Sequence, residues 1–424
     1  MPLHGAAPMI LPRRGPRPLS LHLILGASRG MVALMTPLPS EPGSSSWSGG
    51  WPRSKAAQEG AAQGGAAQAE AARIAASLAS LGASPEAFRA AVLRRLLRED
   101  AALLRGLAAY RRHPHVRALT EPPVIWREGA ARLLDYATPG GGTSRPILFI
   151  PSLVNRAHVL DLDEGASLLR FLAANGVRPL LLDWGWPGTA ERRFTLTDYI
   201  AGRLERALLA APPGVILAGY CMGGLLALAA ALRQPDRVAG LALLATPWDF
   251  ATGAQAAGIA RLLPGFEPLM AAQGALSVDL LQSLFAMQDP FAIARKFRAF
   301  GRLDQASARA RRFVALEDWL NDGVPLAAPV AREALGEWYG RNTPARGEWC
   351  VAGLPVTPAD WRGPAFLAIP ARDRIVPPAS ALPLAAAIPG ARVHLAQAGH
   401  IGMVAGEGAE AALWRPLLEW VRAL

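Results

Sequence analysis

Residues 212–234, PPGVILAGYCMGGLLALAAALRQ, constrain this chain more than any other stretch. Val215 to Ala218 form a short apolar run, the pattern of a strand buried on both faces. The Ala/Leu-rich segment that follows Gly224 has the composition of a buried helix. Between the two, Cys221 lies between Gly219 and Gly223 in a turn that leaves no room for Cβ atoms where strand and helix nearly touch. Strand, sharp turn and helix in that order hold the central residue on strained backbone at the top of an α/β sheet. The helix N-terminus behind Cys221 favours a thiolate, and the backbone N–H of Met222 is placed to donate to an oxyanion. The plainer reading, a small cysteine buried at a helix start, accounts for the pentapeptide but not for the strand and helix that flank it.

The rest of the chain supplies the alternation such a turn requires. Val124 to Ala137 reads as a β-hairpin turning at Glu128-Gly129, and Arg145 to Ile150 as the first fully buried strand, running into the loop Pro151 to Arg156. A helix over 163–175, a strand over 178–183, a helix over 196–210, the elbow strand and helix, and a strand over 238–245 follow. This order predicts a mostly parallel sheet with helices on both faces, the arrangement of the α/β-hydrolase fold. The alternation breaks at Thr246-Pro247 and resumes near Pro364. The stretch 248–363 reads as mostly helical and rich in large apolar residues: Phe266, Met270, Leu281, Phe285, Met287, Phe291, Phe297, Phe313, Trp319 and Trp338. Its position after the sixth core strand is that of a cap over the catalytic edge of the sheet. Strands over 365–370 and 392–396 and a final helix to Leu424 complete a core of residues 121–247 and 364–424. Residues 1–70, rich in Pro, Gly, Ser and Gln, read as a weakly structured tail and linker. Residues 71–120 read as helical, with Ser84-Pro85-Glu86 opening a helix that carries many arginines.

Composition narrows the class. The net charge of +11 comes from arginine, with lysine only at Lys55 and Lys296. The arginines are scattered through helices and not interleaved with aromatics, which argues against nucleic acid as a partner; an anionic substrate such as a CoA ester, or an acidic granule or membrane surface, remains. No transmembrane segment is expected, since the best apolar stretch, Leu19 to Met35, is interrupted by His22 and Arg29 and lacks a signal-peptide cleavage site. The only cysteines are Cys221 and Cys350, so a disulfide would consume the elbow thiol. A cytoplasmic protein is expected. Neither CxxC pairs nor His/Cys clusters at ligand spacing occur, so no metal is expected.

A cysteine nucleophile needs a base within hydrogen-bond reach and a carboxylate to orient that base. In the chain order nucleophile, acid, histidine, both partners occupy loops at the carboxyl ends of strands. His4, His22, His113, His115 and His158 precede the elbow, leaving His394, which lies within a strand, and His400, in the turn after it. His400 is the expected base. Asp373, in the loop ARDRIVPP after strand 365–370, is the expected acid on position; Asp249, Asp304, Asp318 and Asp322 compete, and Asp373 can equally bond its own turn. The second oxyanion donor is expected from the loop after strand 145–150, at the backbone N–H of Leu153 or Val154.

In these residues and the motifs around them, the chain resembles the polyhydroxyalkanoate synthases, most closely the short catalytic-subunit type. The likeness runs from the hairpin near Val124 to the C-terminus. It rests on PSLVNRAHVLDL (151–162), LLLDWGWPG with TLTDYI downstream, GYCMGG with its double glycine Gly223-Gly224, TPWDF, FVALEDWLND, ARDRIVPP and GHIGM. The resemblance implies that Cys221 carries the growing acyl chain as a thioester, that His400 deprotonates the thiol and the incoming hydroxyl, and that Asp373 orients His400 or helps activate that hydroxyl. The implied substrate is (R)-3-hydroxyacyl-CoA; CoA is released with no separate cofactor, and a polyester is extended. It further implies a homodimer, a second synthase subunit as partner, and work at the surface of a polyester granule. Two other functions share these residues. One is a thioesterase or polyester depolymerase with water as acceptor; the other is an inactive granule-associated scaffold.

Overall fold

The computed structural model describes residues 13–35, 69, 72–74, 76–137, 146–252 and 256–424. Eight strands form its main sheet: β1 (Val124–Glu128), β2 (Ala131–Asp135), β3 (Pro146–Ile150), β4 (Arg178–Asp183), β5 (Val215–Tyr220), β6 (Val238–Leu244), β7 (Ala365–Pro370) and β8 (Arg392–Ala396). Their order across the sheet is β1-β2-β4-β3-β5-β6-β7-β8. β2 runs antiparallel to β1 and β4, and every later pairing is parallel. Because successive side chains point to opposite faces, an apolar run serves two cores at once. Leu148 and Ile150 of β3 pack into one cluster and Ile147 and Phe149 into the other. The helix Met222–Arg233 and the segment Tyr199–Leu208 cover the first face. The helices Leu168–Ala174, His400–Ala405 and Arg415–Arg422 cover the second.

β6 is the sixth strand of this sheet, and the insertion follows it. Among its described residues are the helices Ala256–Arg261, Leu263–Gln273, Val278–Ala286, Ala292–Phe300, Ala308–Asn321 and Ala328–Arg332 and the wide π turn Glu333–Gly340. Two-residue strands, Ala275–Leu276 on Leu326–Ala327 and Cys350–Val351 on Leu354–Pro355, pin parts of it together.

Several local expectations are corrected. The helix expected over 163–175 is shorter: Asp161–Asp163 pairs with Ala166–Ser167, and the helix Leu168–Ala174 begins only at the Ser167 cap. The cause is the buried Asp161 carboxylate, which accepts hydrogen bonds from Ser167 Oγ (2.7 Å), Arg170 Nε (2.8 Å) and Tyr136 Oη (3.0 Å) and so fixes the turn. The helix expected over 196–210 opens as a π turn, Asp198–Leu204, behind a reciprocal Thr195–Asp198 cap, and becomes α-helical over Glu205–Ala210. The hairpin turns one residue later than expected, at Gly129-Ala130, where Gly129 takes a φ of 55°. β6 ends at Leu244 because Ala245 has a φ of 49°. Arg145, the expected start of β3, lies outside the described residues.

The chain divides into two compact units, residues 1–18, 112–289 and 304–424 in one and residues 19–111 with 290–303 in the other. The second contains an element that was expected to be part of the tail: Leu19–Met35 is a helix, its Arg29 paired with Glu99 (3.0 Å) and Asp100 (3.3 Å) of the helix Pro85–Arg112. The remainder of the expected linker, residues 36–68, lies outside the described residues. Tyr110 meets Phe297 edge to face at 5.5 Å in the same unit, and Arg298 pairs with Glu99. Among the described residues no helix is long and apolar enough to cross a membrane.

Candidate active site

Cys221 sits between β5 and the helix Met222–Arg233 with φ 56° and ψ −127°, a conformation that side-chain-bearing residues rarely adopt. Its N–H donates to Leu244 O (2.8 Å) on β6, and its own carbonyl accepts from Gly224 N–H (2.9 Å). The glycines around it are required by proximity. A Cβ on Gly219 would overlap the Gly223–Gly224 backbone, one on Gly223 the carbonyl of Ile150, and one on Gly224 the side chain of Thr246. The Gly223 contact also brings the first turn of the elbow helix against the loop that leaves β3.

Asp373 and His400 come together as expected. Asp373 Oδ2 lies 2.6 Å from His400 Nδ1, while Oδ1 accepts the N–H groups of Ile375 (2.8 Å) and Val376 (2.9 Å). Both readings of this aspartate therefore hold, and the turn bonds are what aim the second oxygen. The loops after β7 and β8 are tied by Ala371 N–H to Ala396 O (2.8 Å) and Arg372 N–H to Ala398 O (3.0 Å). His400 heads a short helix, with Tyr220 packed against its ring at 5.2 Å and donating to its carbonyl at 3.3 Å. Burial disfavours the imidazolium, but negative charge on the Cys221 sulfur and hydrogen bonds to Asp373 and Cys221 outweigh it and raise His400 to about 10. Burial pushes Tyr220 up as well, so its phenol is a permanent donor.

The competing acids are engaged elsewhere. Asp249 Oδ1 accepts from Ala251 N–H and Asn342 Nδ2, Asp304 caps Ala306, and Asp318 pairs with Arg13 at 2.7 Å. Asp322 lies near Arg156 and Arg17, and partial desolvation raises its carboxyl. His394 bonds Ala412 O from within β8. The two candidate oxyanion donors also separate. Val154 N–H is taken by Ser152 Oγ at 3.2 Å, a local turn bond, which leaves Leu153 as the candidate of the two.

Cys221 and His400 face a cavity of about 210 Å³. Of the insertion residues singled out in the sequence, Leu281, Phe285, Trp319 and Trp338 line it; the others do not. Phe250, Tyr339 and Ile259 line it too, and sequence reasoning missed them. TPWDF carried a signal for Phe250, directly after a sheet strand, whereas Tyr339 had none beyond the general aromatic content of the insertion. A nucleophile, an imidazole and a carboxylate beside an apolar cavity with backbone donors at a helix N-terminus can form and break acyl–sulfur bonds.

The family of the alpha/beta hydrolase fold matches residues 145–406, which include every residue of this site. The chain belongs to the α/β-hydrolase family. Within it, the chain is similar to three proteins called poly(3-hydroxyalkanoate) polymerase subunit PhaC. The one from Haloferax mediterranei is 26% identical over 313 residues, 71% of this chain and 63% of that protein. The Synechocystis sp. protein is 28% identical over 298 residues (65% and 77%), and the Allochromatium vinosum protein 28% over 263 residues (60% and 74%). This α/β-hydrolase thus spans less than two thirds of the length of the Haloferax protein. Its likeness to the polyhydroxyalkanoate polymerases runs across the fold and not only the elbow.

Proposed function

We propose that this protein is an acyltransferase that polymerises (R)-3-hydroxyacyl-CoA through a thioester on Cys221. The observation that carries the proposal is the Asp373–His400 hydrogen bond on an imidazole that lines the same apolar cavity as Cys221 and is raised, despite burial, by the charge on its sulfur. Similarity to PhaC polymerase subunits supports the polymer-forming branch of this chemistry.

In the first step the Cys221 sulfur attacks the thioester carbonyl, its proton having passed to His400. Met222 and Leu153 N–H groups hold the oxyanion, and the CoA sulfur leaves with the proton from His400. In the second, the hydroxyl of an incoming 3-hydroxyacyl-CoA gives its proton to His400 and attacks the acyl-Cys221 carbonyl. An ester bond forms and the Cys221–acyl bond breaks; the Cys221 thiolate then attacks the CoA thioester of the lengthened chain, and CoA leaves with the proton held by His400. Asp373 holds His400 in the tautomer that accepts at Nε2 throughout. The proposal extends to a homodimer that works with a second synthase subunit at a polyester granule surface.

The test is incubation of the purified protein, with and without a candidate partner subunit, with (R)-3-hydroxybutyryl-CoA. Free CoA is followed with a thiol reagent, products are sized, and Cys221→Ala is run in parallel. CoA release with high-mass polyester, absent in the variant, is expected. Release with only free hydroxy acid moves the assignment to a hydrolase with water as acceptor, and wild-type granule binding without any release moves it to a scaffold.

A further inference from the structure

The cavity above Cys221 contains one aromatic hydroxyl that the proposed chemistry leaves unused. Tyr339 sits in the π turn Glu333–Gly340 and lines the same cavity as Cys221 and His400. Its ring is held edge-on to Phe250 at 4.9 Å. Phe250 is fixed in turn by Asn342, which takes a left-handed φ of 55° so that Oδ1 accepts Phe250 N–H while Nδ2 donates to Asp249 Oδ1, both at 2.9 Å. The loop after β6 and the end of the π turn are thereby locked together, and the Tyr339 ring has a defined place.

On the cavity wall Asn155 Oδ1, Arg156 Nε and Trp338 Nε1 are buried without a hydrogen-bond partner among the described residues, while other polar groups are committed. Ser152 Oγ accepts Val154 N–H, Gln282 Nε2 donates to Leu320 O, Trp319 Nε1 donates to Arg156 O, and Tyr220 Oη donates to His400 O. The Tyr339 hydroxyl has no hydrogen-bond partner among the described residues. It lies within electrostatic reach of the Cys221 sulfur; burial first, and that sulfur's charge second, push the phenol up to about 12, so it remains a neutral donor wherever the enzyme works.

A 3-hydroxyacyl group on Cys221 places its carbonyl oxygen at the Met222 and Leu153 N–H groups. Its 3-hydroxyl, two carbons on, then lies inside the cavity, whose lining includes Phe250, Leu335, Ile375 and the indole of Trp338. A hydroxyl buried there without a partner loses its water and gains nothing. We propose that the Tyr339 hydroxyl hydrogen-bonds the 3-hydroxyl oxygen of the acyl group delivered to Cys221, which makes Tyr339 the residue that selects 3-hydroxyacyl thioesters over the same chains without the hydroxyl. This assignment rests on the acyl-transfer reading above.

The experiment compares the single-turnover burst of CoA from (R)-3-hydroxybutyryl-CoA and from butyryl-CoA, in full-length wild type and Tyr339→Phe, with Cys221→Ala as the blank. Wild type is expected to prefer the hydroxyacyl ester by about tenfold, the scale of one hydrogen bond made on binding. Tyr339→Phe is expected to lose that preference by slowing on the hydroxyacyl ester alone, with butyryl-CoA unchanged and the melting midpoint retained. Equal slowing on both esters makes Tyr339 a packing residue and overturns the assignment, as does an unchanged preference. A wild type that does not distinguish the two esters overturns it without any variant. Bursts from neither ester overturn the acyl-transfer reading itself, whereas bursts from both with the wrong ratio overturn only the Tyr339 contact.

Discussion

Asp373→Asn separates the turn role of this residue from its role toward His400. The native Oδ1 accepts two backbone N–H groups, at 2.8 and 2.9 Å, and Oδ2 meets His400 Nδ1 at 2.6 Å. An asparagine keeps both turn bonds only with its oxygen toward Ile375 and Val376, and that orientation points its NH₂ at His400. The opposite orientation sets NH₂ against two donors and costs about 1–3 kcal/mol for each bond lost. The turn therefore decides the orientation, and His400 Nδ1 must accept. The imidazole proton moves to Nε2, the atom that has to receive the proton of Cys221 or of the incoming hydroxyl. The fold is expected to stay intact, with a melting midpoint within a few degrees of wild type, while the CoA burst slows by about 10²–10⁴-fold; the scale is that of the same change in a Ser-His-Asp enzyme. Asp373→Ala, which strands both turn N–H groups, is expected to lose about 2–4 kcal/mol of stability as well. The assay is the burst of CoA from (R)-3-hydroxybutyryl-CoA, run beside thermal denaturation. An Asn variant with a wild-type burst refutes the tautomer argument, and one that melts far below wild type refutes the claim that the turn tolerates the amide.

Two further outcomes follow from local geometry. Gly223→Ala is expected to cost more than about 3 kcal/mol, or to prevent folding, because its Cβ meets the Ile150 carbonyl, rigid backbone that cannot swing aside as a side chain can; soluble yield and urea denaturation report it. His158 is lowered to about 4 by burial first and by Arg117 and Arg156 second, against opposing contributions from Asp183 and Asp161. Between that value and the usual one near 6.5, the unfolded chain binds a proton that the folded protein refuses, so stability is complete above the upper value and falls as the pH drops. About 2 kcal/mol is expected to be lost between neutral pH and about pH 5, and His158→Gln is expected to abolish this part of the loss; equal acid sensitivity of the two proteins in urea titrations counts against it.

The mostly parallel sheet, the elbow at Cys221 and the two loops that bring Asp373 and His400 together were legible because each carries a local signature. The elbow announces itself through glycines that no other residue can replace, and the two loops through their places after apolar strands. Boundaries were less legible where a tertiary partner sets them. The buried Asp161 carboxylate delays the helix at 168, and the Thr195–Asp198 cap opens a π turn where apolar periodicity suggested an α-helix. Leu19–Met35, read as part of a tail, is a helix in a unit with Pro85–Arg112 and Ala292–Phe300, although more than 150 residues separate the last two in sequence. Periodicity along one segment carries no information about which distant segment covers its apolar side.

Signatures local to the chain specify the strand, elbow and helix around Cys221, the alternation that makes a parallel sheet, and the placing of Asp373 and His400 in loops after apolar strands. These depend on backbone sterics and on the period of apolar residues, both properties of neighbours along the chain. Packing in space is what brings Asp373 and not Asp249 to His400 and sets Tyr339 in the cavity that Cys221 lines. Those are distances across space between residues far apart in sequence, and they are set by how the loops and helices pack after the local choices have been made.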